Sequence, residues 1–267
     1  MGVEENIPKE LAKDIYVDGA QESVQAAGKT LGLIPRAIKA ALLPLEKWVL
    51  QREYNIEATK KMLEKKLENI SPEHISSPEP YVAVPAMQYI SYCVNNDELR
   101  DMYANLLANS MINIVKKGVH PGFVDIIKQL SPDEARILKY MSEGHDSIPT
   151  INVRYQNEHG EGLDVLKNFS DIGEKSGCES TIETEAAFDN LIRLGLISQR
   201  EFASLTNKKL YELLKKHECI KKYNDIKELI DGGYNKIVYN EGFVFLTSFG
   251  KVFCKICVMS PIDSSTS

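Results

Sequence analysis

Residues 97–141 read DELRDMYANLLANSMINIVKKGVHPGFVDIIKQLSPDEARILKYM, and this stretch decides the fold because its apolar residues keep helical spacing almost throughout. Asn96 or Asp97 supplies an N-cap for a first helix, which the sequence predicts to run as far as Gly118. Steps of three and four residues place one set of side chains on a single face of that helix. The set comprises Leu99, Met102, Tyr103, Leu106, Leu107, Ser110 and Met111.

The remainder of the stretch predicts two further helices. Pro121 opens the first of them, because a helix does not need an N–H group at its first position. Its buried face comprises Phe123, Ile126, Ile127 and Leu130. The tetrapeptide at 131–134, Ser-Pro-Asp-Glu, has the pattern of a capping box and starts the next helix. Three apolar faces joined by short connections are expected to pack on one another.

Composition sets the class of protein. The chain has 267 residues, which is enough for one large or two modest domains, and its net charge is −6. That charge argues against a general nucleic-acid binder. The five cysteines are odd in number and lie mostly among apolar residues, which is typical of reduced thiols in a cytoplasmic protein. The polar, acidic start of the chain does not resemble a secretory signal.

The front half is predicted to be a helical bundle over residues 1–130. Helical spacing recurs at 14–29, 45–69 and 86–94. Residues 32–50 are the most apolar segment, but prolines and basic residues interrupt it, so it is too short to span a bilayer. A buried hairpin of short helices is the favoured interpretation. The alternative is an amphipathic segment that lies on a membrane.

The back half, residues 131–258, changes character and resembles a winged helix-turn-helix. The fold class is therefore mainly α (α+β), with a winged-helix-like α/β part that contains a small antiparallel hairpin. The predicted order is an edge strand at 147–155, helices at 163–172 and 182–194, a strand from 196, a charged helical insertion at about 203–231, two strands at 236–239 and 243–247 around the turn 240–242, and a helix at 248–258. Residues 259–267 are predicted to be a disordered tail.

A winged helix suggests DNA binding by its second helix, here residues 181–194. That helix and the residue before it carry mostly acidic side chains, with Arg193 as the single cation. The acidic residues are Glu179, Glu183, Glu185 and Asp189. Carboxylates repel phosphates, so the sequence predicts a poor recognition helix.

The clearest basic run lies in the predicted insertion. Its lysines are Lys208, Lys209, Lys215, Lys216, Lys221 and Lys222. They form a candidate site for nucleic acid or another anionic partner. The alternative is an ordinary solvated helix face.

No motif predicts catalysis, a metal ion or a cofactor. Cys254 and Cys257 form a C-x-x-C that would need His217 and Cys219 to complete a zinc site, but their apolar neighbours favour a core helix. An arginine and a histidine five residues apart, at 154 and 159, match the spacing of some helical ribonucleases, yet they fall on a strand and a loop. Phosphate-loop, dinucleotide, esterase and zincin signatures are absent from the sequence.

Five segments resemble the abortive infection alpha family of bacterial proteins. They are DIYVDGAQESVQAAGKTLG at 14–32, EPYVAVPAMQYISYCVNNDELRDMYANLLANSMI at 79–112, HPGFVDIIKQLSPDEARILKYM at 120–141, LIRLGLI at 191–197 and FLTSFGKVFCKIC at 245–257. Their motifs are apolar and capping patterns rather than a catalytic signature. The resemblance implies a role in defence against phage, with no catalytic residues to transfer.

These observations together predict a cytoplasmic phage-defence protein that acts as a non-enzymatic interaction or effector module with a protein partner. One alternative is a winged-helix DNA-binding regulator that contacts nucleic acid through residues 208–222. A second alternative is a membrane-associated effector that uses residues 32–50. We expect this protein to bind a protein partner rather than a membrane.

Overall fold

The computed structural model describes residues 53–90, 92–93, 95–180, 184–224 and 233–261. They divide into two compact units. The helical unit comprises the described residues up to Ser131 together with those from Val252 onward, and the sheet unit comprises Pro132–Lys251. The helices predicted at 14–29 and within 32–50 lie outside the described residues.

The helical unit contains four α-helices and ends in a π-helix. Their bounds are α1 Glu53–Leu67, α2 Pro80–Ile90, α3 Asp97–Met111, α4 Phe123–Lys128 and the π-helix Cys254–Val258, with short 3₁₀ turns at Pro72–His74 and Lys116–Gly118. The helix predicted at 86–94 is therefore misplaced, because α2 begins five residues before Pro85 and contains it.

Helix α3 is the centre of this unit, and every residue from Met102 to Met111 is buried. Its N-cap is confirmed, since Asn96 Oδ1 accepts a hydrogen bond from the Leu99 amide at 3.0 Å. The predicted end near Gly118 is wrong. The helix stops at Met111 because Ile112 takes an extended conformation and forms an antiparallel bridge with Ile75.

Two asparagines on α3 hold the π-helix Cys254–Val258. Asn105 Nδ2 donates to the carbonyl oxygens of Cys257 and Val258, each at 3.1 Å. Asn109 Nδ2 donates to the Ile256 oxygen at 2.8 Å. The last carbonyls of a helix have no partner within that helix, and buried ones must find one elsewhere. The four-residue spacing of the two asparagines places both amides on the same side of α3.

Replacing Asn109 with alanine is expected to lower the free energy of unfolding by about 1–3 kcal/mol, because a buried carbonyl loses its donor. Equilibrium urea denaturation measures this loss. Asn113→Ala is the matched control, since the Asn113 side chain is exposed and its bond to the Glu73 oxygen is 3.4 Å long. Equal effects of the two substitutions would contradict the assigned role of Asn109.

The sheet unit mixes helices with a four-stranded antiparallel sheet in the order β2-β1-β4-β3. Its elements are α5 Pro132–Ser142, β1 Ser147–Gln156, β2 Gly162–Phe169, α6 Ile172–Lys175, α7 Thr184–Arg193, β3 Ile197–Glu201, α8 Lys209–Lys215, α9 Glu218–Lys221, a 3₁₀ turn Lys222–Asn224, β4 Lys236–Leu246 and the start of α10 Ser248–Phe253, whose last two residues belong to the helical unit. The helices predicted at 182–194 and 248–258 and the strand predicted from 196 correspond to observed elements.

Three predictions for the back half are wrong, and the first two concern the elements themselves. Residues 163–172 were expected to be helical, but most of them form β2, which pairs with β1 from Ile151 to Gln156. The hairpin expected around residues 240–242 is a single strand, β4, with β1 on one side and β3 on the other. Gly242 serves close packing rather than a turn, because a Cβ there would lie 2.9 Å from the Arg200 carbonyl oxygen.

The edge position predicted for 147–155 is also wrong, because β1 lies between β2 and β4. At Pro149, however, β1 is hydrogen-bonded on one side only, as an edge strand is. The pairing with β2 begins only at Ile151, so β1 has the single partner β4 where the proline stands. A residue without an N–H group is tolerated at such a position.

One face of the sheet carries an apolar core. Ile151 and Val153 of β1 pack with Tyr211, Leu214 and Ile220 from α8 and α9. The Tyr211 hydroxyl donates to the Gly242 oxygen at 3.0 Å and accepts from the Leu205 amide at 2.9 Å, so its polar end is satisfied. The predicted charged insertion therefore contributes core residues to the sheet.

Asp133 ties the start of the sheet unit to the segment before α7. Its carboxylate accepts from the amides of Glu179 and Ser180 at 2.9 and 3.0 Å and pairs with Arg136 at 2.6 Å. Burial alone would raise the pKa of this carboxyl, but the two amides and the guanidinium outweigh burial and hold the pKa below its ordinary value.

Asp133→Asn is expected to lower the free energy of unfolding at pH 7 by about 1–3 kcal/mol, through loss of charge-assisted bonds. A depressed folded-state pKa stabilises the fold above the ordinary value of 3.8, and this contribution disappears as pH falls through the folded-state pKa. The unfolding free energies of the wild type and the variant should therefore converge in acid, as measured by urea denaturation across pH. Asp189→Asn, at an exposed site on α7, is the control. A constant difference at every pH would contradict the assignment.

Candidate functional site

The sheet of the sheet unit curls strongly. Its edge strands β2 and β3 are separated by two other strands, a distance of about 14 Å across a flat sheet. Gln199 of β3 nevertheless donates from Nε2 to Asn168 Oδ1 of β2 at 2.5 Å. This bond between the edges requires a concave face.

A cavity of about 180 Å³ lies in the sheet, and we call it the sheet cavity. Asn152 and Arg154 line it from β1, where they alternate with the buried core residues Ile151 and Val153 and so point to the opposite face. Asn240 of β4 stands directly opposite Asn152 in the strand register. The sheet thus has an apolar face and a polar, concave one.

The wall contributed by β2 is shaped by a bulge. The register between β1 and β2 shifts on both sides of Val153. Within the irregular stretch, Asn168 has a φ of 50°. Its backbone N–H donates to Asn152 Oδ1 at 2.7 Å. Asparagine tolerates this left-handed conformation better than most residues. Bulges re-aim side chains and are common beside functional sites. Lys167, Asn168 and Asp164 therefore face the cavity.

Phe202 stands at the rim, directly after β3, with φ 55 and 77% of its surface exposed. A left-handed conformation costs a bulky residue roughly 1–2 kcal/mol. Asn168 and Phe202 are the two non-glycine residues with positive φ in the described ranges, and both line this cavity. Backbone strain of this kind concentrates at functional sites.

The lining is suited to hydrogen-bonded recognition. Three asparagine side chains contribute donors and acceptors that do not titrate. Arg154 Nη1 is held by Asp164 Oδ1 at 3.0 Å, in a pair that joins β1 to β2. Lys167 and Glu201 add one charge of each sign. The arrangement can orient a polar ligand.

Three of the six lysines of the predicted anion site form ion pairs. Lys208 Nζ lies 2.7 Å from Glu241 Oε2, and Lys215 Nζ lies 3.1 Å from Glu241 Oε1. Burial alone would raise the pKa of Glu241, but hydrogen bonds from both lysines outweigh it and lower the pKa. Lys221 pairs with Glu218.

The other three lysines are exposed. Lys222 lies over the ring of Tyr223, 5.0 Å from its centroid. Lys209 and Lys216, at the two ends of α8, form no ion pair with any residue that the structure describes. Binding of an anionic partner by the six lysines stays a prediction.

The residues considered as zinc ligands belong to two different units. Cys254 and Cys257 are buried in the helical unit, and burial raises the pKa of the Cys254 thiol to about 12 and that of Cys257 well above its ordinary value. High thiol pKa values oppose formation of the thiolate that binds metal. In the sheet unit, His217 contacts Glu174 Oε1 through Nε2 at 3.0 Å and accepts from the Cys219 amide through Nδ1.

The arginine and histidine with ribonuclease-like spacing lie at different places in the sheet unit. Arg154 lines the sheet cavity, whereas His159 lies exposed in the turn between β1 and β2 and is not part of the lining.

Within the described residues, no helix combines the length and apolar character that crossing a membrane requires.

Comparison with known proteins identifies the family. Residues 51–257 match the family described as abortive infection alpha, and this range covers most of the chain. The chain belongs to the abortive infection alpha family. Membership implies abortive-infection-type defence against phage.

No curated protein matches this member of the family. One solved structure is similar to it, an uncharacterised protein from the hydrocarbon-degrading marine bacterium Alcanivorax borkumensis SK2. The two are 17% identical, with a TM-score of 0.36, over 51% of this chain and 92% of that one.

Sequence reasoning missed the sheet cavity of this abortive infection alpha protein. Its asparagines are scattered at 152, 168 and 240, with no common motif. The available signal was one asparagine in each of three strands, at positions where β-formers are usual. That signal is weak, and the wrong helix prediction for 163–172 concealed the part carried by β2.

Phe202→Gly is expected to raise the free energy of unfolding by about 0.5–1 kcal/mol, because glycine relieves the left-handed strain while little buried surface is lost. Phe202→Ala is the paired control, since alanine keeps the strain and removes the ring. It should leave stability close to that of the wild type. Thermal denaturation followed by circular dichroism compares them. A glycine variant that is less stable than the alanine variant would show that the backbone at Phe202 is not strained.

Proposed function

We propose that this abortive infection alpha protein defends bacteria against phage as a non-enzymatic interaction or effector module in the cytoplasm. Its action depends on a ligand or partner group that occupies the sheet cavity. A protein partner that responds to the occupied state completes the proposal.

The observation that carries the proposal is the chemistry of the sheet cavity. Its asparagine side chains donate and accept hydrogen bonds but do not transfer protons. Arg154 bonds to Asp164 through Nη1, which positions the guanidinium beside β2 and leaves other N–H groups for a ligand. Such a lining selects a ligand by hydrogen-bond geometry, which is the requirement for a sensor.

We also propose that the sheet unit is winged-helix-like. The chain order α5, β1, α6, α7, β3, β4 supports this, as does the neighbour order β1-β4-β3 in the sheet. Strand β2 and the helices α8 and α9 are additions to that order. They are the parts that complete the sheet cavity and the apolar core beneath it.

The DNA-binding alternative is disfavoured by α7. Glu185 and Asp189 are exposed on it, and the guanidinium of Arg193 is bonded to Asn190 Oδ1. Acidic side chains on a recognition helix repel the phosphate backbone. The anion-binding proposal for the lysines rests mainly on Lys209 and Lys216. The membrane alternative concerns residues 32–50, outside the described ranges.

A plaque assay tests the proposal. Bacteria that express the full chain and are challenged with a broad phage panel should show at least tenfold fewer plaques for susceptible phages than the empty-vector host. The double substitution Lys167→Ala with Asn240→Ala, which removes two polar groups of the sheet cavity, should abolish the protection. Circular dichroism and immunoblotting should show the variant folded and present at the wild-type level.

His159→Ala is the control, because His159 does not line the cavity and is the residue a ribonuclease mechanism would need. Protection should survive this change. Unchanged plaque counts for every phage would overturn the defence role. Protection that is lost with His159→Ala but kept by the cavity variant would overturn the binding mechanism in favour of catalysis.

A further inference from the structure

The floor of the sheet cavity offers unused hydrogen-bond donors. Asn152 and Asn240 are a directly opposed pair on β1 and β4, and Asn168 stands beside them on β2. Within the described residues, the side chains of Asn152 and Asn168 form hydrogen bonds through Oδ1 only, and the side chain of Asn240 forms none. Among the described residues, none accepts from their three Nδ2 groups. A ligand that fits this floor carries acceptor oxygens.

Two cations add to these donors. Lys167 is exposed at the mouth of the cavity and forms no ion pair with a described residue. Arg154 uses Nη1 on Asp164 and keeps further N–H groups. The Asp164 carboxylate offsets the charge of Arg154, so Lys167 supplies the positive charge of this wall. A lysine beside arginine N–H groups and several amide donors suits a phosphate group.

The opposite edge strand contributes a different chemistry. Glu201, the last residue of β3, is exposed and accepts from Gln199 Nε2 at 3.5 Å. Phe202 follows it with an exposed ring. A carboxylate that accepts from N–H groups, next to an aromatic ring that can stack, suits a nucleobase.

The cavity is large enough to enclose only one part of such a ligand. Its volume of about 180 Å³ is below the roughly 300–1,000 Å³ of sites that enclose a drug-sized molecule. A phosphate and part of a sugar fill such a space, and the remainder must extend over the rim. Phe202 is the rim residue, and its left-handed backbone directs the ring there at a cost in stability.

We propose that the sheet cavity binds a nucleotide, with the phosphate held by Lys167, Arg154 and the asparagine amides and the base stacked on Phe202. This inference rests on the proposed function and names the class of ligand. The same chemistry is offered by a free mononucleotide and by the end of a single-stranded oligonucleotide.

Isothermal titration calorimetry on the full chain tests this with AMP, GMP, CMP and UMP as separate probes. At least one should bind ten times more tightly than its nucleoside and than inorganic phosphate, because each of these lacks one half of the ligand. A six-nucleotide single strand is the second arm. Tighter binding of the oligonucleotide than of every mononucleotide would identify a nucleic-acid end as the source.

Two variants separate the two halves of the site. Lys167→Ala should weaken nucleotide binding at least tenfold and leave nucleoside binding unchanged. Phe202→Ala should weaken nucleotide binding roughly fivefold to 150-fold, the range of base stacking on an aromatic ring, and leave phosphate binding unchanged. Lys139→Ala, at an exposed lysine of α5, is the matched control and should bind as the wild type does.

The ligand assignment fails if no nucleotide or oligonucleotide binds, or if glutamine, a zwitterion without phosphate, binds in their place. Those outcomes, together with loss of phage protection in the cavity variant, would overturn the ligand and leave the proposed function standing. Nucleotide binding with full protection in the cavity variant would support the ligand and overturn the proposed function.

Discussion

The helical unit depends on the hydrogen bonds between two buried side-chain amides of α3 and the carbonyls of the π-helix that follows α10. Asn105 and Asn109 donate to the last turn of the π-helix Cys254–Val258. Phe253, just before it, meets Phe123 edge-on with ring centroids 5.3 Å apart. Without these donors the returning segment would bury unsatisfied carbonyls, so a segment more than 140 positions away in sequence becomes part of the same core. The arrangement has a cost, since both Oδ1 atoms are buried without a hydrogen-bond partner among the described residues.

The sheet unit uses polar side chains for a different purpose. Asn168, Asn152 and Gln199 link strands through side chains where the regular ladder is interrupted by a bulge. The curl that results has an apolar face filled by α8 and α9 and a concave face that stays polar. Side-chain amides hold structure together in the helical unit, whereas in the sheet unit they also present donors to a ligand.

The match to the abortive infection alpha family spans residues 51–257 and therefore contains every residue that lines the sheet cavity. Within that range, the segments with recognisable apolar and capping patterns, at 79–112, 120–141, 191–197 and 245–257, build helices, caps and strand ends. The cavity residues fall between these segments, at 152–168, 201–202 or 240. Family membership implies the defence role. The proposed binding chemistry comes from stretches without a recognisable pattern.

The sequence by itself determined that 97–141 contains three helices, with the Asn96 cap of the first and the buried faces of all three, because these features depend on spacing within one element. It did not determine the end of the first helix, which is set by the bridge between Ile112 and Ile75. It also determined α7, α10 and the start of β3. It could not determine β2, the continuity of β4 or the inner position of β1, because each depends on pairing with strands far away in the chain. The Asn-Glu-Gly at 240–242 has the local preference of a turn, yet two neighbouring strands keep it extended. The cavity was hidden for the same reason. Its residues share no spacing, and only the curl of the sheet brings them to one surface.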